Sequence, residues 1–326
     1  MEKYFCFVFS LLQLTSAAGL HPIILVPGDG GSQMDAKLNK PAVVHYLCDK
    51  TTNDYFNIWL NLELLVPLVI DCWVDNVRLV YNSTTRRTEN SPGVDIRIPG
   101  FGHTETVEYL DPSQASPGLY FKSIVEASLI PLGYTRNSSI SGAPYDFRKA
   151  PNELKDWFVD LKKLVEQVYA SNGNNGIILI CHSMGSPMSL YFLNRQSQSW
   201  KNKYIRSLIT LGGPWGGSMK AVKVFAAGDD LGSYVLPSKT LRGGQRTYAS
   251  TAWLLPSKLF WNDTEILISV QNKRNYTMKD FKYFFDDIDF NDGYEMLKDT
   301  EGLLGPLDHP GVEVHCLHGS GVSTVE

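Results

Sequence analysis

The sequence predicts an α/β fold, a mainly parallel central sheet flanked by helices. Three observations lead there. The run Gly176-Ile-Ile-Leu-Ile-Cys-His-Ser-Met-Gly185 is a buried strand that ends in a sharp turn, and a helix-length segment follows it. The segment Asn152–Ala170 keeps Leu154, Trp157, Phe158, Leu161, Leu164, Val165, Val168 and Tyr169 on one face at helical spacing and delivers the chain to that strand. The apolar runs Ile23–Val26 and Ile205–Leu211 each open into a Gly-rich loop, as parallel strands do at their carboxyl ends.

A chain of 326 residues, 43% hydrophobic and 20% charged, suits one large α/β domain or two ordinary ones and excludes disordered and fibrous classes. The net charge of −4 gives no reason to expect a nucleic-acid partner.

Taken in order, Lys3, the apolar run Tyr4–Leu14 and the small residues Thr15-Ser-Ala-Ala-Gly19 predict a signal peptide over residues 1–18, cleaved after Ala18. The run falls short of the roughly 18 apolar residues that a membrane span needs. Four N-x-S/T sequons, at Asn82, Asn137, Asn262 and Asn275, are candidate glycosylation sites and agree with passage through the secretory pathway.

Ile23–Val26 reads as the first strand, and Pro27-Gly-Asp-Gly-Gly31 as a turn that can present backbone N–H groups, with Asp29 at its centre. An ordinary connecting loop fits the same residues. Cys48 and Cys72 flank one compact segment and are free to pair in an oxidising compartment, which would stabilise the fold by roughly 3–4 kcal/mol in the chain-entropy model. Between them, the stretch Tyr55–Trp73 is apolar on most sides but interrupted by Glu63, Pro67 and Asp71. It fits either a core helix or a braced knob that touches a lipid surface.

Val77–Tyr81 and Val94–Ile98 read as strands, with the polar residues Asn82–Pro92 as a loop between them. Asp146 and Arg148 read as structural. Asn152 is the expected N-cap of the helix, and Ser171–Gly176 its stop. Pro187 is acceptable in the first turn of the next helix. The loop Gly212–Gly217 emerges where walls of a site are built, and residues 226–250 form either a mobile lid or an inert surface loop. Val312–Leu317 is the last strand. Cys181 and Cys316, both in apolar strand patterns, are expected as buried thiols.

The chemistry centres on Ser183. A serine hydroxyl is a poor nucleophile until a strained strand-to-helix elbow exposes it and the next N–H, that of Met184, faces the developing oxyanion. Gly185 supplies the small residue needed two positions later. Cys181 stands where the usual motif has its first glycine, and His182, diverging from its neighbour on a tight turn, is expected to pack beside the site rather than act as its base.

The strings HPIILVPGDGGSQ (21–33), KPAVVHYLCDK (40–50), NIWLNLELLVPLVIDCW (57–73), GAPYDFRKAPNE (142–153), CHSMGSP (181–187), LGGPWGG (211–217), STAWLLPS (250–257) and DTEGL (299–303) together resemble the lecithin–cholesterol acyltransferase family, nearest its lysosomal phospholipase branch. The resemblance covers residues 20–322. It implies an α/β-hydrolase fold over residues 19–326 with a membrane-contacting excursion at about 48–72 and a lid at about 226–250. It also implies acyl removal from a glycerophospholipid at a membrane surface, with transfer to water or a lipid alcohol, and residence in the lysosome or outside the cell. By the family pattern Ser183 forms the acyl-enzyme, Asp29 and Met184 hold the oxyanion, Cys48–Cys72 is a disulfide, and Trp59, Leu60, Leu64 and Leu65 are candidate membrane contacts. Neither metal nor cofactor is expected. The family's triad acid and histidine lie beyond the strand at 312–317, where this chain ends; His309, His315 and His318 offer no acid-then-histidine arrangement. The alternative is therefore a catalytically inactive lipid-binding paralogue or splice product.

Overall fold

The computed structural model describes residues 19–114, 118–232, 236–271 and 274–322. The signal peptide expected over 1–18 lies outside them, as do positions 233–235 of the segment 226–250.

Five strands form the central sheet. They are β1 (Ile23–Val26), β7 (Ile140–Gly142), β8 (Ile177–His182), β9 (Ile205–Leu211) and β12 (Glu313–Leu317), in spatial order β12-β9-β8-β1-β7 and parallel throughout. Alternate residues of β1 and β8 serve two cores. Ile24, Val26, Leu179 and Cys181 face one, closed by Trp157, Leu161 and Leu164 of helix α2 (Lys155–Ser171). Ile23, Leu25, Ile178 and Ile180 face the other, closed by Phe121, Val125 and Leu129. Burial on both faces explains why these strands read as unbroken apolar runs.

Ahead of this sheet, β2 (Met34–Leu38) is the middle strand of an antiparallel sheet with β3 (Phe56–Trp59) and β6 (Val94–Arg97). The stretch 55–73 is not one core helix. β3 ends at Trp59, Asn61 caps the single 3-10 turn Leu62–Leu65, Pro67 follows, and α1 begins only at Val69 and runs to Val77. Cys48 and Cys72 are bonded, with their Cα atoms 5.3 Å apart.

The segment Asn82–Pro92 differs from the expected loop: β4 (Leu79–Asn82) turns back on β5 (Arg87–Asn90), and Asn82 Oδ1 accepts the N–H groups of Thr84 and Thr85 in the turn. Helix α2 begins at Lys155, after a 3-10 turn Pro151–Glu153, and Asn152 does not cap it. After β8, α3 (Gly185–Leu193) and α4 (Gln198–Tyr204) lead into β9. A helical layer follows, made of α5 (Met219–Ala227), α6 (Ser238–Gln245), α7 (Ala249–Trp253), the short ladder β10 (Ile268–Ser269) and β11 (Asn275–Tyr276), α8 (Phe281–Asp287) and α9 (Asn291–Thr300). It has its own core around Phe225, Leu255, Phe281 and Phe285. The segment 226–250, which showed little periodicity, thus contains a helix. Cys316 is exposed rather than buried, because β12 is an edge strand whose outer face nothing covers among the described residues.

Candidate active site

Ser183 joins β8 to α3 with φ 50°, the left-handed region that a non-glycine residue enters at a cost of about 1–3 kcal/mol. Neighbours hold it there. Its N–H donates to Leu211 O at the end of β9 (2.9 Å), and Ser186 N–H donates back to Ser183 O (2.9 Å). Its hydroxyl is half-buried and has no hydrogen-bond partner among the described residues.

The turn after β1 closes on this elbow. A Cβ built on Gly28 would stand 2.7 Å from Ser183 Cβ, so only glycine allows the approach. Gly31 N–H donates to Gly28 O (3.0 Å), and Trp59 Nε1–H donates to Gly30 O (2.8 Å). Among the described residues the N–H groups of Asp29 and Met184 have no protein acceptor. The Asp29 side chain is exposed, yet desolvation by the protein packed around its carboxyl pushes it up to about 6; Lys220 pulls it down and Asp229 pushes it further up. Lys220 and Lys223 each approach Asp229 to 3.2 Å.

His182 does not face the Ser183 hydroxyl. Its Nδ1 lies 2.5 Å from the Tyr120 hydroxyl, which also accepts the Gly28 N–H (2.9 Å). Burial lowers the His182 pKa. Tyr120 escaped sequence reasoning, since nothing local to it marks a contact with residues 62 and 92 positions away. None of the seven histidines is hydrogen-bonded to Ser183: His309 Nδ1 accepts Gly311 N–H, and His315 Nε2 meets Glu313 Oε1 at 3.1 Å.

On the far side of α3's first turn lies a cavity of about 650 Å³ walled by Pro187, Trp215, Trp253, Leu255 and Phe281; Ser183 itself does not line it. The Gly212–Gly217 loop lines it through Pro214, Trp215 and Gly217, and Gly213 packs against Ser186.

Of the candidate membrane contacts, Trp59, Leu60 and Leu65 are buried and Leu64 half-buried, so these four do not present a lipid-facing surface. Trp59 is committed inward, in tilted ring contacts with Trp73 and Phe147. The side chains exposed beside the disulfide are Leu62, Val66 and Leu68, together with Val44, Tyr46 and Leu47. The sequon residues Asn137, Asn262 and Asn275 are exposed and Asn82 is half-buried. Asp146 and Arg148 form an internal strut. Arg148 is fully buried, takes both carboxylate oxygens of Asp146, and donates to Val77 O and Asn90 Oδ1. His45, Cys48 and Cys72 gather within metal-ligand distance, but the disulfide leaves no thiolates to bind one.

A non-glycine residue at positive φ between a central parallel strand and the helix that follows it marks the α/β-hydrolase class, and this chain is of that class. Comparison with known proteins narrows the class further. The lecithin:cholesterol acyltransferase family model matches residues 55–326. The human "lysosomal phospholipase A and acyltransferase" is 51% identical over 94% of this chain and 74% of its own length, and the mouse protein of that name is 50% identical over 96% and 76%. The chicken "phosphatidylcholine-sterol acyltransferase" is 44% identical over 94% and 73%. A solved Tle4–Tli4 complex aligns with TM-score 0.42 and 12% identity over 91% of this chain and 74% of the other. The chain belongs to the lecithin:cholesterol acyltransferase family.

Proposed function

We propose that this lipid-modifying enzyme removes an acyl chain from a glycerophospholipid through an acyl-enzyme on Ser183 and passes it to water or a lipid alcohol. The observation that carries the proposal is the positive φ of Ser183, a strain retained at a residue with an unpartnered hydroxyl, against which the Gly28 turn packs closely. In this mechanism Ser183 Oγ attacks the ester carbonyl, and its oxygen, now an anion, accepts the N–H groups of Asp29 and Met184. Collapse expels the lysophospholipid alcohol, and the acceptor then reverses the sequence. In the cavity that Pro187 borders, Trp215, Trp253, Leu255 and Phe281 offer an acyl chain apolar wall, with Lys258, Lys282, Lys298 and Glu301 on the same lining. The imidazole that takes the serine proton, and the acid that orients it, are proposed to follow β12.

Relatives named lysosomal, the leader-like residues 1–18 and four sequons support a lysosomal or extracellular glycoprotein. The disulfide-braced surface of Leu62, Val66 and Leu68 is proposed to meet the membrane. One observation favours a second reading, lipid binding without turnover: no described histidine is bonded to Ser183.

The test compares residues 19–326 with the same chain extended by a homologous C-terminal segment. The extended form should hydrolyse phospholipid and be labelled by a fluorophosphonate at Ser183, not at the buried Ser189. The shorter form should fall towards the residual of roughly 10³–10⁴-fold over water that an oxyanion hole alone supports. Labelling that survives Ser183→Ala would overturn the nucleophile. Equal turnover by the two forms would overturn the placement of the base, and an unlabelled extended form would favour lipid binding.

A further inference from the structure

Four backbone groups of the turn after β1 are held by the protein. Pro27 O accepts the Tyr145 hydroxyl (2.9 Å), Gly28 N–H donates to Tyr120, Gly28 O accepts Gly31 N–H, and Gly30 O accepts Trp59 Nε1–H. The Asp29 N–H is left over, and the amide before it, Pro27 C=O–Gly28 N–H, is held at its oxygen by Tyr145 and at its N–H by Tyr120.

The Tyr120 hydroxyl has one proton to give. It accepts from Gly28 N–H, and in the Nε2–H tautomer of a neutral His182 its proton goes to the bare Nδ1. The result is a one-way chain, Gly28 N–H to Tyr120 O–H to His182 Nδ1, that ties the turn of β1 to the residue preceding Ser183. The ring has no freedom to wander. Its face lies so close to Gly31 that a Cβ there would stand 2.6 Å from Tyr120 Cζ, and it packs edge-on against His182 with centroids 5.2 Å apart.

We propose that Tyr120, with His182, is a positioning residue for the reaction, setting the Asp29 N–H at a fixed place relative to Ser183. This rests on the acyl-enzyme proposal above. Neither side chain touches the reacting atoms. Their effect is on the geometry of the oxyanion donor, so it belongs to the transition state and not to substrate binding.

In the full-length protein, Tyr120→Phe removes the hydroxyl and keeps the ring. The expected result is a roughly 10–100-fold fall in kcat, less than the loss of a whole oxyanion donor, with KM changed by less than about twofold. His182→Leu should match it, and the double variant should be no worse than either. His182→Asn, whose Oδ1 stands where Nδ1 stood, should restore kcat to within about fivefold of wild type. Wild-type kcat in Tyr120→Phe, additive losses in the double variant, or failure of His182→Asn to rescue would each overturn the proposal. Ser183→Ala separates the two inferences: activity surviving it sinks the nucleophile. Hydrogen exchange at residues 28–31, measured in the Ser183→Ala protein with and without Tyr120→Phe, reads the clamp without any turnover. Unchanged exchange there would overturn the clamp whatever the chemistry.

Discussion

Gly185 and Pro27 approach so closely that a Cβ on the glycine would stand 2.4 Å from the proline carbonyl oxygen. The helix after Ser183 therefore leans directly on the end of β1, and the elbow and the Pro27–Gly31 turn share one contact. Gly185→Ala should force a backbone shift that lowers stability by about 1–3 kcal/mol, seen as a lower denaturant midpoint at unchanged m. A midpoint equal to wild type would show that the helix has room to move.

Asp29 carries a pH dependence whose sign follows from its environment. Its folded pKa is raised from 3.8 to about 6, so between those values the folded chain holds a proton that the unfolded chain has released. Its contribution to stability is full below the lower value and disappears as pH rises through the upper one. Asp29→Asn should flatten that decline in a series of urea midpoints. If the Asp29 N–H faces the oxyanion, the charged carboxylate also opposes reaction, and the variant should move the alkaline fall in turnover to higher pH. An unshifted profile would remove Asp29 from the titration.

The Arg148–Asp146 strut gives a stability prediction independent of chemistry. Arg148→Met leaves a walled-in carboxylate and the unpaired Val77 O and Asn90 Oδ1, and should cost about 3–5 kcal/mol. Adding Asp146→Asn should recover part of the loss. Thermal unfolding of the two variants checks the order, and a double variant less stable than Arg148→Met would contradict it.

Membrane contact is tested by separating exposed from buried positions in the same segment. Serine at Leu62, Val66 and Leu68 should reduce binding to phospholipid vesicles with little change in unfolding temperature. Serine at Trp59 or Leu65 should instead destabilise by about 3 kcal/mol or more. If the triple variant binds vesicles as the parent does, the disulfide-braced surface is not the docking face.

What the sequence revealed divides along physical lines. Strands sandwiched between two layers, such as β9, declare themselves through composition, and Ile205–Leu211 has the same limits in both descriptions. Arg87–Asn90 has no apolar alternation and is a strand because β4 supplies its partner. Asn152 has the chemistry of a cap, but Pro151 starts a 3-10 turn and delays the helix. In the apolar stretch 57–73 every face is hydrophobic, so pattern could not tell Trp59, turned inward onto Gly30, from Leu62, turned outward. Ser183 was legible because its neighbours on both sides belong to one local motif. Tyr120 was not, because its contacts with Gly28 and His182 exist only once three distant segments meet.

The strand order has a consequence for biosynthesis. β1 is made first, yet its partners are β7 and β8, paired through Ile23↔Ile140 and Ile23↔Ile178. The nearer partner lies 117 residues downstream (140 − 23), which at about 5–20 residues per second takes roughly 6–23 s to emerge. Throughout that interval Ile23, Ile24, Leu25 and Val26 have neither their sheet neighbours nor the two cores they will fill. The nascent chain thus exposes an unpaired apolar segment for seconds before the sheet can nucleate, which makes it a client for whatever holds such segments apart.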